Sequence, residues 1–103
     1  DYYGPGREAQ LLQDLEYLQQ LYPNDVKRYQ RRISEILDKT DYEGSMIYDE
    51  YPDKYSLLAL AGSMRKVLEI EEEKAPEESM IQVLLFNEVY KRRHGGRRGS
   101  FFF

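Results

Sequence analysis

The chain has no cysteine, no tryptophan and a single histidine, His94. Without cysteine there is no disulfide, no thiolate metal site and no cysteine nucleophile. One histidine cannot supply a multi-histidine metal site within one chain. Apolar runs such as Val83-Leu84-Leu85-Phe86 are only a few residues long, far short of the roughly 20 that cross a bilayer. The opening Asp1-Tyr2-Tyr3-Gly4-Pro5-Gly6 lacks the basic and apolar parts of a secretory signal. Cytoplasmic residence is therefore the expectation.

What is present suits one folded domain. The 103 residues are 41% hydrophobic and 33% charged, a balance of a highly charged globule rather than a disordered chain. Net charge is −4, but it is unevenly spread. Residues 1–90 hold ten basic and nineteen acidic side chains, a net −9, whereas residues 91–103 hold five basic and none acidic. The body is acidic and its end is basic.

Helical periodicity dominates. Leu11, Leu15, Leu18 and Tyr22 recur at helical spacing with Leu12 and Leu21 beside them, which predicts a helix over about 7–21 ending at Pro23. Asn24 or Asp25 can cap a second helix over 25–39, with Val26, Tyr29, Ile33, Ile36 and Leu37 as its apolar stripe. Lys27, Arg28, Arg31 and Arg32 crowd the first half of that helix, the unfavourable end of its dipole for positive charge. Acidic groups from a neighbouring element would offset them. Asp53 can cap a third helix over 54–73, striped by Leu57, Leu60, Ala61, Met64, Val67 and Leu68. Gly62 inside it costs about 1 kcal/mol relative to alanine, which suggests a close helix–helix approach or a tolerated defect. Pro76, Glu77 and Glu78 suit the first turn of a fourth helix over 77–93. That helix is apolar on most sides, as the central helix of a bundle would be.

The predicted class is thus all-α: a three- or four-helix bundle over residues 1–94, with one long packed loop, and a flexible basic and aromatic tail at 95–103. The loop is Asp41-Tyr42-Glu43-Gly44-Ser45-Met46-Ile47-Tyr48-Asp49-Glu50-Tyr51-Pro52-Asp53. Gly44 and Pro52 interrupt any helix, yet the segment is too apolar to be a simple linker and should pack on the domain.

Chemistry is harder to find. An EF-hand frame around Gly44 would put Lys39 where the first oxygen ligand belongs, so calcium is disfavoured. Asp49, Glu50 and Asp53 are close in sequence, but no apolar pocket is in evidence to separate their pKa values as a catalytic pair requires. The serines share one histidine, which sits between Arg93 and Gly95-Gly96, and neither a GxSxG elbow nor a phosphate-cradling glycine loop occurs. No enzyme activity and no cofactor is expected.

Two segments remain as binding candidates. Tyr42, Tyr48, Asp49, Glu50 and Tyr51 could form an acidic, aromatic patch for a protein partner, because tyrosine is enriched at interfaces. Equally, Tyr42, Tyr48, Tyr51 and Tyr55 could seal the loop over the bundle in place of tryptophan, which is the preferred reading. At the other end, Lys91, Arg92, Arg93, Arg97 and Arg98 could bind nucleic acid or an anionic membrane. Five charges are few for such binding, and the acidic body would oppose it. Otherwise the run could complement the dipole of the fourth helix, or fold back on the acidic loop of its own or another chain.

The segment Asp41–Asp53, together with Ile81-Gln82-Val83-Leu84-Leu85-Phe86 and the arginine-rich end, resembles a family of small bacterial proteins of unassigned function. The resemblance covers most of residues 20–98. It implies a compact bacterial protein and carries no catalytic or binding residues. The expected function is a non-enzymatic helical module that docks a protein partner or itself, with a nucleic-acid or membrane adaptor acting through residues 91–103 as the alternative.

Overall fold

The structure, a computed structural model, describes residues 5–72 and 76–96. It is all-α. Helices α1 (Pro5–Gln19), α2 (Asn24–Leu37), α3 (Lys54–Glu72) and α4 (Glu78–Lys91) are joined by short connections except between α2 and α3. There the loop contains two 3-10 turns, Asp38–Thr40 and Met46–Tyr48. After Lys91 the chain makes one widened turn, Arg92–Gly96, which leaves helical geometry at His94 and Gly95. No strand occurs among the described residues, and no described helix is long and apolar enough to cross a membrane.

Helical spacing explains which side chains meet. Ile33 and Leu37 of α2, Ala61, Met64 and Leu68 of α3, and Ile81, Leu84, Leu85 and Val89 of α4 converge in one core. Each set repeats every three or four residues, so each lies on one face of its helix. Ile47 joins them from the loop and is wholly buried. α4 packs against both α2 and α3, as a helix with a wide apolar surface should. Paired contacts advance together along α2 and α4, Gln30 with Glu88 and Ser34 with Arg92, so these two helices run in the same direction. α3 is the return leg between them.

The basic half of α2 is neutralised by the end of α3. Arg28 bonds Glu72 at 2.9 Å, and Arg32 grips Glu71 through Nε and Nη2, at 2.9 Å each. These bonds raise the arginine pKa values and lower that of Glu71. Asp53 caps α3 by accepting from the Ser56 amide and hydroxyl, at 2.8 Å each. Those bonds favour the charged carboxylate and lower its pKa.

Several local expectations change. α2 begins at Asn24 with no side-chain cap bond at its N-cap, Pro23, so neither Asn24 nor Asp25 caps it. A Cβ at Gly62 would meet nothing within 4 Å, so Gly62 marks no close helix approach. The leucine stripe of α1 is only partly used. Leu12 is buried, but Leu11, Leu18 and Leu21 are 47%, 55% and 63% exposed. α1 abuts the closing turn at Arg92–Gly96 rather than lying along the core, so only one edge of its stripe finds a partner.

Candidate functional site

The loop between α2 and α3 and the end of α4 form one constellation. The face of α4 that carries Ile81, Leu84 and Leu85 continues through Glu88 to Arg92, four residues apart and hence one above the other. Arg92 is 2% exposed. Its guanidinium donates to Asp41 at 3.1 Å and to the Ser34 carbonyl and hydroxyl at 3.0 and 2.8 Å. Asp38 pairs with it at 2.9 Å, and Glu88 lies 3.8 Å from Nε, which has no hydrogen-bond partner. Asp41, itself buried, also accepts from the Tyr48 hydroxyl.

The next residue adds a second clasp. Arg93 donates to the carbonyls of Ile47, at 2.8 Å, and Asp49. Lys91 donates to Gln19 of α1 at 3.0 Å and to Glu88 at 3.2 Å. Thus three consecutive cations hold three things: α1, the end of α2, and the loop. A buried charge needs such partners because desolvation is costly unless the charge is matched and hydrogen-bonded.

The loop is consequently anchored from beneath. Met46, Ile47 and Tyr48 turn inward, with Met46 and Tyr48 packed on the core. Ser45 caps that 3-10 turn by accepting from the Ile47 amide at 3.4 Å. Gly44, at φ +87°, makes the bend that precedes it, a backbone conformation that glycine adopts without steric cost. On the outer side Tyr42 and Tyr51 are 57% and 85% exposed, and Tyr55 at the start of α3 is 76% exposed. Asp49 and Glu50 are exposed as well.

The tyrosines therefore divide. Tyr48 seals the loop, but Tyr42, Tyr51 and Tyr55 do not, so their expected sealing role is corrected. The basic run divides too. Lys91, Arg92 and Arg93 are engaged inside the fold with carboxylate, amide and carbonyl oxygens, as in the alternative in which the run folds back on the acidic loop of its own chain. Arg97 and Arg98 lie outside the described residues, as does most of the expected tail. His94 is half-buried against Tyr90, ring centroids 4.4 Å apart.

Sequence reasoning singled out neither Asp38 and Asp41 nor Ser34, Glu88 and Gln19 for the clasp. One trace of it was present: Glu88 and Arg92 have the spacing of a helical ion pair. The partners in α2 and the loop carry no such local signal.

Two grooves accompany this site. A polar one of about 530 Å³ lies between α1, α2 and α4, with Gln19, Lys27, Gln30, Arg31 and Lys91 among its walls. An apolar one of about 450 Å³ opens where α2 and α4 begin. No cluster of three or more His, Asp or Glu groups able to hold a metal ion occurs among the described residues. Comparison of the chain with protein-family models, with curated proteins and with solved structures returned no match.

Proposed function

We propose that this protein is a non-enzymatic helical module that docks a protein partner through the outer face of residues 41–53. The supporting observation is the two-sided loop. Tyr48 and Asp41 hold its inner side through Arg92, while Tyr42, Tyr51 and Tyr55 stand in solvent beside Asp49 and Glu50. Tyrosine offers a large contact area with few rotatable bonds, and a loop already ordered loses little further entropy on binding. A bacterial setting belongs to the same proposal and rests on the resemblance of the loop segment.

The test compares the intact protein with a Tyr42→Ser, Tyr51→Ser, Tyr55→Ser variant in affinity capture from native lysate. Thermal unfolding of both is measured alongside. The expected result is an unchanged midpoint with loss of the captured protein. Identical capture by both chains would remove the loop as the docking surface.

A further inference from the structure

Helix α2 carries two pairs of cations, each one turn apart, and the fold treats them differently. Arg28 and Arg32 are matched by Glu72 and Glu71 of α3. Lys27 and Arg31 instead line the polar groove of about 530 Å³ between α1, α2 and α4. Among the described residues neither forms an ion pair or a side-chain hydrogen bond. Like charges at this spacing repel, and Lys27 stands in the first turn of α2, at the positive end of its dipole. The acids in the groove wall do not offset them. Glu88 is committed to Lys91 and Gln30, and Glu35 to Arg32. Glu16 of α1 also lines the groove, but it pairs with neither cation. The uncommitted groups thus leave an excess of positive charge, a local reversal in a body whose residues 1–90 sum to −9.

A second observation points the same way. Gln19 lines this groove, is 6% exposed, and its amide nitrogen has no hydrogen-bond partner among the described residues. Lys91 holds the amide oxygen at 3.0 Å, so the amide cannot turn over without losing that bond. A buried donor without an acceptor is costly, and an oxygen of a ligand in the groove would supply one. We propose that the groove binds a small phosphate-bearing molecule, its phosphate between Lys27 and Arg31 and one of its oxygens accepting from Gln19. Side chains one turn apart have Cβ atoms about 5–6 Å from each other, so both cations can close on one tetrahedral anion. A phosphate carries about −1.5 to −2 charges at neutral pH, which suits two cations better than the single charge of a carboxylate. The planar fork of arginine takes two phosphate oxygens, and lysine adds a point charge. Glu16, on α1, repels the anion and favours its place on the α2 wall.

The experiment titrates the full chain with inorganic phosphate and, separately, with glycerol phosphate, followed by calorimetry and by amide NMR signals. Glycerol is the uncharged control. Three variants accompany the parent: Lys27→Gln with Arg31→Gln, Gln19→Glu, and Arg28→Gln with Arg32→Gln. The last removes the same charge from the neighbouring pair on α2. Gln19→Glu keeps an oxygen for Lys91 but removes the donor. Circular dichroism verifies that each retains the parent helicity. The expected result is saturable binding that shifts the signals of Gln19, Lys27 and Arg31, with no response to glycerol. The Lys27 and Arg31 double substitution should weaken binding at least tenfold and Gln19→Glu at least threefold. The Arg28 and Arg32 double substitution should change it less than twofold. Tighter binding of glycerol phosphate identifies an ester as the ligand, and equal binding identifies free phosphate; both uphold the site. No saturable binding, equal weakening by the two double substitutions, or indifference to Gln19→Glu overturns the proposal. Loss of docking through residues 41–53 leaves all these readouts unchanged.

Discussion

Helix α1 and the loop at residues 41–53 reverse the usual relation between regularity and anchorage. α1 is a continuous fifteen-residue helix rich in leucine, yet Leu11, Tyr17 and Leu18 remain about half exposed or more. The loop is irregular and acidic, yet Ile47 and Asp41 within it are among the most buried residues described. Periodicity decides whether a segment coils. What a segment buries depends on which surfaces reach it, and α1 packs mainly against the closing turn Arg92–Gly96 whereas the loop lies across the junction of α2 and α4.

The sharpest break of this contrast is Arg92→Met. It removes the cation from buried Asp41 and from Glu88 at once, and losing one partner of a buried pair costs about 3–5 kcal/mol. Urea denaturation should show a loss of that size. Hydrogen exchange should open the amides of 41–49 before those of α3.

Next come truncations that weigh the loop against the helix directly. Ile47→Ala should cost about 2–4 kcal/mol, comparable to Leu85→Ala in α4, because both side chains are wholly buried. Leu12→Ala should cost less than either, since it lies outside the main core cluster. Equal losses at Leu12 and Ile47 would end the distinction between a loosely seated helix and a firmly seated loop.

Acid should act on the connections more weakly. Asp53 and Glu71 have lowered carboxyl pKa values in the fold, through Ser56 and Arg32 respectively. Depressed folded values mean that their stabilisation is present above the ordinary carboxylate range. It is lost as pH falls through the lowered values. Thermal unfolding followed from pH 7 to 2 should show that decline, with Asp53→Asn removing part of it. Both groups are exposed, so the effect stays small.

The smallest change is expected on the outer face of α1. Leu11→Gln and Leu18→Gln should alter unfolding free energy by no more than about 0.5 kcal/mol, the usual range for exposed positions. A loss of several times that would show that this face is covered in solution.

How far the residues themselves foretold this arrangement differs by element. The Leu57–Leu68 stripe and the apolar surround of α4 marked a bundle with α4 at its centre, because side-chain spacing along a helix is a local property. Asp53 as a cap and the acidic relief of Arg28 and Arg32 were equally visible, each following from a short-range electrostatic demand. Helix ends shifted by a residue or two, where capping and tertiary contact compete. The loop was recognisable as packed, from Met46, Ile47 and Tyr48 lying in a segment that could not be helical.

Sequence by itself therefore determined the four helices, the core-facing side of three of them, and the segregation of charge. Only the tertiary structure decided that α2 and α4 run parallel, that α1 keeps much of its stripe in solvent, and that Lys91, Arg92 and Arg93 turn inward. The reason is physical. A helix and its stripe arise from neighbours three and four residues apart, whereas the partner of a charge depends on what the fold brings to it, here Asp41 from 51 residues away in the chain.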